Sequence, residues 1–445
     1  MPSYLTTCYS INYTLEKYFT YSYLKKSLLT AGFLLIVMIM CLPVATVQAQ
    51  EKCAVVAYQK ILKTKFPKLE GTSGFEQWMK KKLQQKYEEG TKYSRQEAEV
   101  IQIPVVVHII HGANEAEGVG KNLAKAQIES QITVLNEDFR RLNDDASNTP
   151  AVFQPVAADI EIEFVLAKRD PEGLPTDGIV RVVGEKSQYG LVDQYEMKAL
   201  SNWPSDEYLN IWVTDLANDF LGYAQFPVSS LEGLEDASNH ALTDGVVIDY
   251  RAFGSEALYP PADLINAYSL GRTTTHEVGH YLGLRHIWGD SNQCSVDDFC
   301  EDTPRTNIDH GGLSTCDFPT SNNGCGSDDM FQNYMDYTDD KCMNLFTLDQ
   351  KARMRTVMDN SPRRASLKDS RGDELPVIVN NDLGIRTILT PGSSNCDLTI
   401  APAIEVRNYG SNAISSASVA VRLNGVTQET LTYSLNLDYL DRDTL

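Results

Sequence analysis

The residues with the clearest chemical potential lie at 276–286, which read His-Glu-Val-Gly-His-Tyr-Leu-Gly-Leu-Arg-His. On a helix, His276 and His280 are four apart and share one face, so both imidazoles can reach one ion at about 2.0–2.1 Å. Glu277 is rotated off that line and can bond to a water on the metal rather than to the metal. Gly283 can take a left-handed backbone and end the helix. The turning chain then brings in His286 as a third nitrogen. Three histidines leave a fourth position open for water, as a catalytic zinc requires. Zinc lowers the pKa of bound water from about 15.7 toward about 7, and Glu277 is placed to take its proton and pass it to a leaving amine. Histidines and glycine at these offsets arise by chance in about one in a hundred thousand chains of this length, which argues against scattered surface histidines. His108, His111, His240 and His310 are read as structural or surface residues.

A helix over about 269–282 must carry this motif, and a sheet must hold the helix. The run Ile103 to Ile110 is apolar and β-branched, which predicts a buried strand. Ile128, Ile132, Leu135 and Phe139 recur at helical spacing within 126–142. Strands are predicted at 160–166, 208–213 and 245–250. Leu221 to Phe226, stopped by Pro227, suits a sheet edge. This order describes a mixed α/β layer. Thr347 to Gln350 is a capping box opening a last helix to about Met358. The glycine-, aspartate- and cysteine-rich segment 289–332 is too long for a structureless loop unless it is functional or stapled. From Asp382, short apolar runs near 388, 398–400, 404–406, 419–421 and 431–435 predict a β-sandwich. The 64 residues of 382–445 fall short of the roughly 100 usual for such a domain, so a truncated chain is expected.

Acidic residues outnumber basic ones 60 to 39, for a net charge of -21. That balance argues against nucleic acid and anionic membranes as partners and favours calcium and basic peptides, although solubility alone also accounts for it. Lys25-Lys26, the apolar run 27–47 and the ending Val47-Gln48-Ala49 form a secretory signal cleaved after Ala49. The alternative, a membrane anchor, must accommodate Pro43 in a run barely long enough to span. Export is oxidising, so cysteines clustered at 294–342 point to disulfides. Residues 50–98 are polar and lysine-rich, with helical spacing over 75–83. The expected order is signal peptide 1–49, pro-segment 50–98, catalytic domain 99–365, linker 366–381 and sandwich 382–445. A monomer is expected, secreted or held at the cell surface, with no stable membrane insertion after signal cleavage.

The motif, together with Asn333-Tyr334-Met335-Asp336-Tyr337, resembles the metzincin clan and, within it, the pappalysin family and its bacterial ulilysin-like members. The matching stretches include His286 to Asp290, Asp302-Thr303-Pro304, Asp329-Met330-Phe331 and Cys342 to Thr347. The resemblance spans about 100–360. It implies an α/β (α+β) catalytic domain with a mixed, twisted sheet and a long zinc-binding helix, here followed by a partial all-β, immunoglobulin-like sandwich. It implies a zinc endopeptidase acting on protein and peptide substrates. Met335 would form a turn beneath the ligands, and Tyr337 would steady the oxyanion. The edge strand would pair with an extended substrate. The disulfides would be Cys294–Cys325 and Cys316–Cys342, with Cys300 able to replace one partner in the first. Calcium would bind through Asp298, Asp302 and Thr303. Cys53 would hold the precursor inactive as a thiolate on the zinc, relieved by cleavage near Tyr93 to Gln96. Asp339 and Asp340 would line a pocket favouring arginine or lysine after the scissile bond. The competing reading is a surface binding or adhesion protein on an inactive protease fold.

Overall fold

A computed structural model of the chain describes residues 52–67, 69, 71–88, 99–229, 241–320, 324–390 and 401–445. The signal segment, His240, Tyr93 to Gln96, the run 398–400 and Cys396 lie outside these residues.

A sheet of six strands is built on β1 (Ile101–His111). This strand is long enough to hold two short parallel partners along one edge. Its first half pairs with β2 (Ile162–Leu166) and its second with β3 (Ile179–Val183). On the other side come β4 (Leu209–Thr214), β6 (Val246–Asp249) and the antiparallel edge strand β5 (Gly222–Ala224). The continuous apolar character of β1 follows from burial on both faces. Ile103, Val105, Val107 and Ile109 face the main core with Ile128, Leu135, Phe139, Val278 and Leu282, which come from α3 (Lys125–Phe139) and from α5 (Arg272–Tyr281) and its C-terminal end. Ile110 faces the other way, where Ala54 and, from α1 (Val55–Lys65), Tyr58 and Leu62 join Trp212, Tyr223 and Val247. A second helix, α2 (Thr72–Glu88), packs on α6 (Leu348–Asn360). The short helix α4 (Gln194–Ala199) precedes β4. The residues expected as a pro-segment thus form two helices that cover the sheet's second face and one end of the core. The strand β3 is one the sequence pattern does not predict.

The Thr347 capping box is present: Gln350 N donates to Thr347 Oγ1, and Thr347 N donates to Gln350 Oε1. Leu367, which the sequence pattern assigns to a linker, is buried in the main core. The C-terminal strands β7 (Leu383–Thr390), β8 (Ala403–Asn408) and β11 (Arg442–Thr444) form one sheet, and β9 (Ile414–Leu423) with β10 (Val426–Leu437) a hairpin. They share a small core of Val406, Leu435 and Leu437. Among the described residues no helix is long and apolar enough to cross a membrane.

Candidate active site

Helix α5 starts later than its sequence pattern suggests, because Gly271 takes a left-handed φ of +83° just before it. Asp340 Oδ2 accepts hydrogen bonds from Leu270 N and Arg272 N, so this carboxylate caps the helix. Burial raises the Asp340 carboxyl to about 6, opposed by Arg272. Asp138, on α3, accepts from Arg272 Nη2, Thr275 Oγ1 and Tyr334 Oη. This buried ion pair ties α3, α5 and the turn under the histidines together.

The helix ends at Leu282, with Gly283 at φ +91°, and the reversal brings His286 back toward His276 and His280. The three Nε2 atoms lie 3.0–3.2 Å from one another. Each ring is fixed from its other side: His276 Nδ1 donates to Tyr334 O, His280 Nδ1 to Leu284 O and His286 Nδ1 to Asp290 Oδ1. That leaves three lone pairs aimed at one point, an arrangement that repels unless a cation stands between them. Burial and the neighbouring imidazoles lower the pKa of His276 to about 3 and hold that of His280 well below its usual value, so both rings are neutral, as metal ligands must be. Nitrogens each about 2.0–2.1 Å from one tetrahedral zinc would stand roughly 3.3 Å apart, so the donor set fits zinc. Second contacts from backbone carbonyls and a carboxylate complete the pattern of a metal site.

Cys53 Sγ lies within 4.8 Å of all three nitrogens, in the one group of metal-ligating residues of this kind found among the described residues. Its backbone pairs in parallel with the sheet edge: Leu221 N donates to Lys52 O and Ala54 N to Gly222 O. The position expected for an extended substrate is held here by the chain itself. Glu277 is 1% exposed, and burial raises its carboxyl to about 8, with the Cys53 thiol acting against that rise. Burial, then Glu277, pushes the Cys53 thiol well up.

Met335 packs beneath the helix: a Cβ on Gly279 would stand 2.5 Å from its sulfur. The Tyr337 ring lies 4.9 Å from that of His286 and 5.7 Å from that of His276, and its hydroxyl donates to Cys53 O. Trp288 stacks on His286 at 4.4 Å. Asp339 and Asp340 lie near Lys52, whose Nζ donates to Tyr337 O at 3.0 Å and sits 4.4 Å from the Tyr268 ring centre. Burial lowers the Lys52 pKa, opposed by Asp339, Asp309, Asp340 and Asp336.

Disulfides join Cys294 to Cys325 and Cys316 to Cys342, and Cys300 is a free, buried thiol. The three residues expected at calcium do not act together. Asp298 Oδ1 accepts from Thr303 Oγ1, whereas Asp302 accepts from Thr347 Oγ1 and Asp349 N at the start of α6. His108 is buried against Trp212 and bonded to Asn210, and His310 lies between Asp329 and Asp336. The sequence pattern alone assigns no role to Asp290, Trp288 or Asp138. Asp138 carried one signal: it interrupts an apolar helix face between Leu135 and Phe139.

A family model described as pregnancy-associated plasma protein-A matches residues 256–359. Among solved structures, mature mirolysin of Tannerella forsythia in complex with a cleaved peptide is 41% identical. It covers 63% of this chain and 99% of its own, with a TM-score of 0.55. A promirolysin mutant from the same organism is 36% identical, covers 74% of this chain and 100% of its own, and has a TM-score of 0.58. An extracellular metalloprotease of Verticillium alfalfae is 29% identical over 263 residues, 58% of this chain and 78% of its own length.

Proposed function

The chain belongs to the pappalysin family of metalloproteases, and from that premise we propose that it is a secreted zinc endopeptidase made as an inactive precursor. The observation that carries this reading is the convergence of three imidazole nitrogens, each ring fixed from its other side, beside a buried glutamate. His276, His280 and His286 would hold the zinc, which supplies a polarised water and an acceptor for carbonyl charge. Glu277 holds the water's proton and delivers it to the departing amine. Tyr337 directs its hydroxyl at developing negative charge once Cys53 O is withdrawn. Substrate main chain pairs with Gly222 along β5 where Lys52 to Ala54 now lie. The intact donor set and glutamate speak against an inactive adhesion protein.

In the precursor, Cys53 would be the fourth residue to hold the zinc, and residues 50–98 would be the pro-segment. The greater share of this chain matched by promirolysin than by the mature form supports that division. A basic residue after the scissile bond is favoured, because Lys52 already places an ammonium among Tyr268, Tyr337 and the carboxylates named above. The unpartnered second oxygen of Asp298 supports calcium in the disulfide loop.

The test matures the precursor and assays quenched peptides with arginine, lysine or leucine after the scissile bond, with zinc content measured in parallel. About one zinc per chain, with cleavage lost to a chelator and to Glu277→Ala, is expected. Bound zinc without cleavage of any peptide would overturn the reading.

A further inference from the structure

Helix α2 is held by a contact that zinc chemistry does not need. The carboxylate of Glu76 accepts from Arg285 Nε at 2.7 Å and from Arg353 Nη1 and Nη2 at 2.8 and 3.0 Å. All three side chains are at least nine-tenths buried, with exposures of 8%, 10% and 2%. Arg353 also donates to Gly283 O, at the turn between the zinc histidines, and Arg285 directly precedes His286. Beside this triad, Phe75 packs edge-on to Phe226 at 4.8 Å and touches Val357, in a cluster separate from the main core.

If α2 leaves with the pro-segment, the like-charged guanidinium groups of Arg285 and Arg353 lose the carboxylate they share beside Phe226 and Val357, and keep only the weaker influence of Asp290 on Arg285 and of Asp298 on Arg353. Partly buried charges without a partner are unfavourable, and a planar carboxylate that accepts from both forks is the group this geometry fits. Phe226 lies two residues beyond the edge strand, so the surface continues the line along which substrate pairs. We propose that Arg285 and Arg353, with Phe226, form a binding site on the mature enzyme for an acidic side chain next to an aromatic one in a protein substrate, a site Glu76 and Phe75 fill in the precursor. This rests on the proposed assignment of residues 50–98 as a removable pro-segment.

The test uses the matured zinc enzyme, freed of its pro-segment, and a fluorescent peptide copying residues 71–88. Saturable binding is expected, weakened about tenfold or more by Glu76→Gln in the peptide, the cost of losing one charged partner in a buried site. The Phe75→Ala peptide and Phe226→Ala enzyme should also bind more weakly. The unlabelled peptide should slow cleavage of casein while leaving cleavage of a short quenched peptide unchanged. No saturable binding, or equal binding by the Glu76→Gln peptide, would overturn the proposal, as would equal inhibition of both substrates. Loss of binding in millimolar acetate would also overturn it, since a small anion would then suffice. Short-peptide cleavage and its loss to a chelator report separately on the protease reading.

Discussion

A Cβ on Gly222 would stand 2.8 Å from Glu277 Cγ and 3.0 Å from the Val247 carbonyl oxygen. The sheet edge therefore presses directly on the candidate base, and only a residue without a side chain lets both keep their places. Gly222→Ala must displace either Glu277 or β5. Displacing a catalytic group by about 1 Å costs on the order of 100-fold in rate. We expect kcat on short peptides to fall by about that factor while zinc content holds. An unchanged kcat would show that Glu277 has room to spare and that the contact is incidental.

Asp290 accepts from His286 Nδ1 and so fixes which nitrogen faces the metal. Removing such a partner typically costs 10–100-fold in metal affinity. Asp290→Ala should therefore release zinc to a competing chelator at correspondingly lower chelator concentration, with the two disulfides and far-UV spectrum intact. Equal retention of zinc by variant and parent would remove Asp290 from the metal site.

How much of this is legible in the sequence depends on whether the signal is local. The histidine motif, the strand at β1 and the capping box at Thr347 are set by residues within a dozen positions of one another, where spacing and a local turn report what they share. The contacts that complete the site are long-range: Asp138 to Arg272, Glu76 to Arg353, Gly222 to Glu277. No periodicity encodes which carboxylate meets which arginine once the chain folds. Asp302 and Asp340 show the same limit. The sequence marks their oxygen chemistry but not their partners: Asp302 accepts from Thr347 and Asp349 at the start of α6, and Asp340 caps α5 while also lining the cleft with Lys52 and Tyr268. The strand β3 escaped because its five residues, Ile179–Val183, carry a central arginine. That arginine reaches Asn122 and Glu117 rather than the core.

Asp138 and Arg272 are 2% and 7% exposed. Removing one partner of a buried pair typically costs roughly 3 kcal/mol, and a smaller loss is expected here because Arg272 keeps two hydrogen bonds to Asp145, each at 2.9 Å. Asp138→Ala also strips acceptors from Thr275 and Tyr334. We expect a clear drop in the urea midpoint together with weaker zinc retention, because Tyr334 O holds His276. A drop in stability with zinc retention unchanged would limit Asp138 to a structural role.

Cys53 offers sulfur to the same point as the three histidines and lends its carbonyl to Tyr337. A Cys53→Ala precursor should retain zinc yet cleave quenched peptides before the segment around 89–98 is cut. It should also mature faster than the parent. If the variant precursor stays as inactive as the parent, latency is maintained by the backbone pairing at Gly222 and by Lys52, and the thiol is dispensable.

His310 stands between two carboxylates, with Nδ1 2.6 Å from Asp336 Oδ2 and Nε2 3.4 Å from Asp329 Oδ2. Burial works against its charge, but the bonds to Asp329 and Asp336 outweigh it and raise the pKa to about 10. A folded pKa above the unfolded value of about 6.5 means that protonated His310 stabilises the fold. That contribution is fully present below about pH 6.5 and is lost as pH rises through the folded value near 10. The turn is affected as well, since Asp336 accepts from the backbone N–H groups of both His310 and Tyr337. His310→Gln should therefore lower the urea midpoint most at mildly acidic pH, and the gap between parent and variant should narrow steadily toward pH 10. A gap that stays flat or widens with pH would show that His310 is neutral in the folded protein and that its carboxylate neighbours are balanced by other charges.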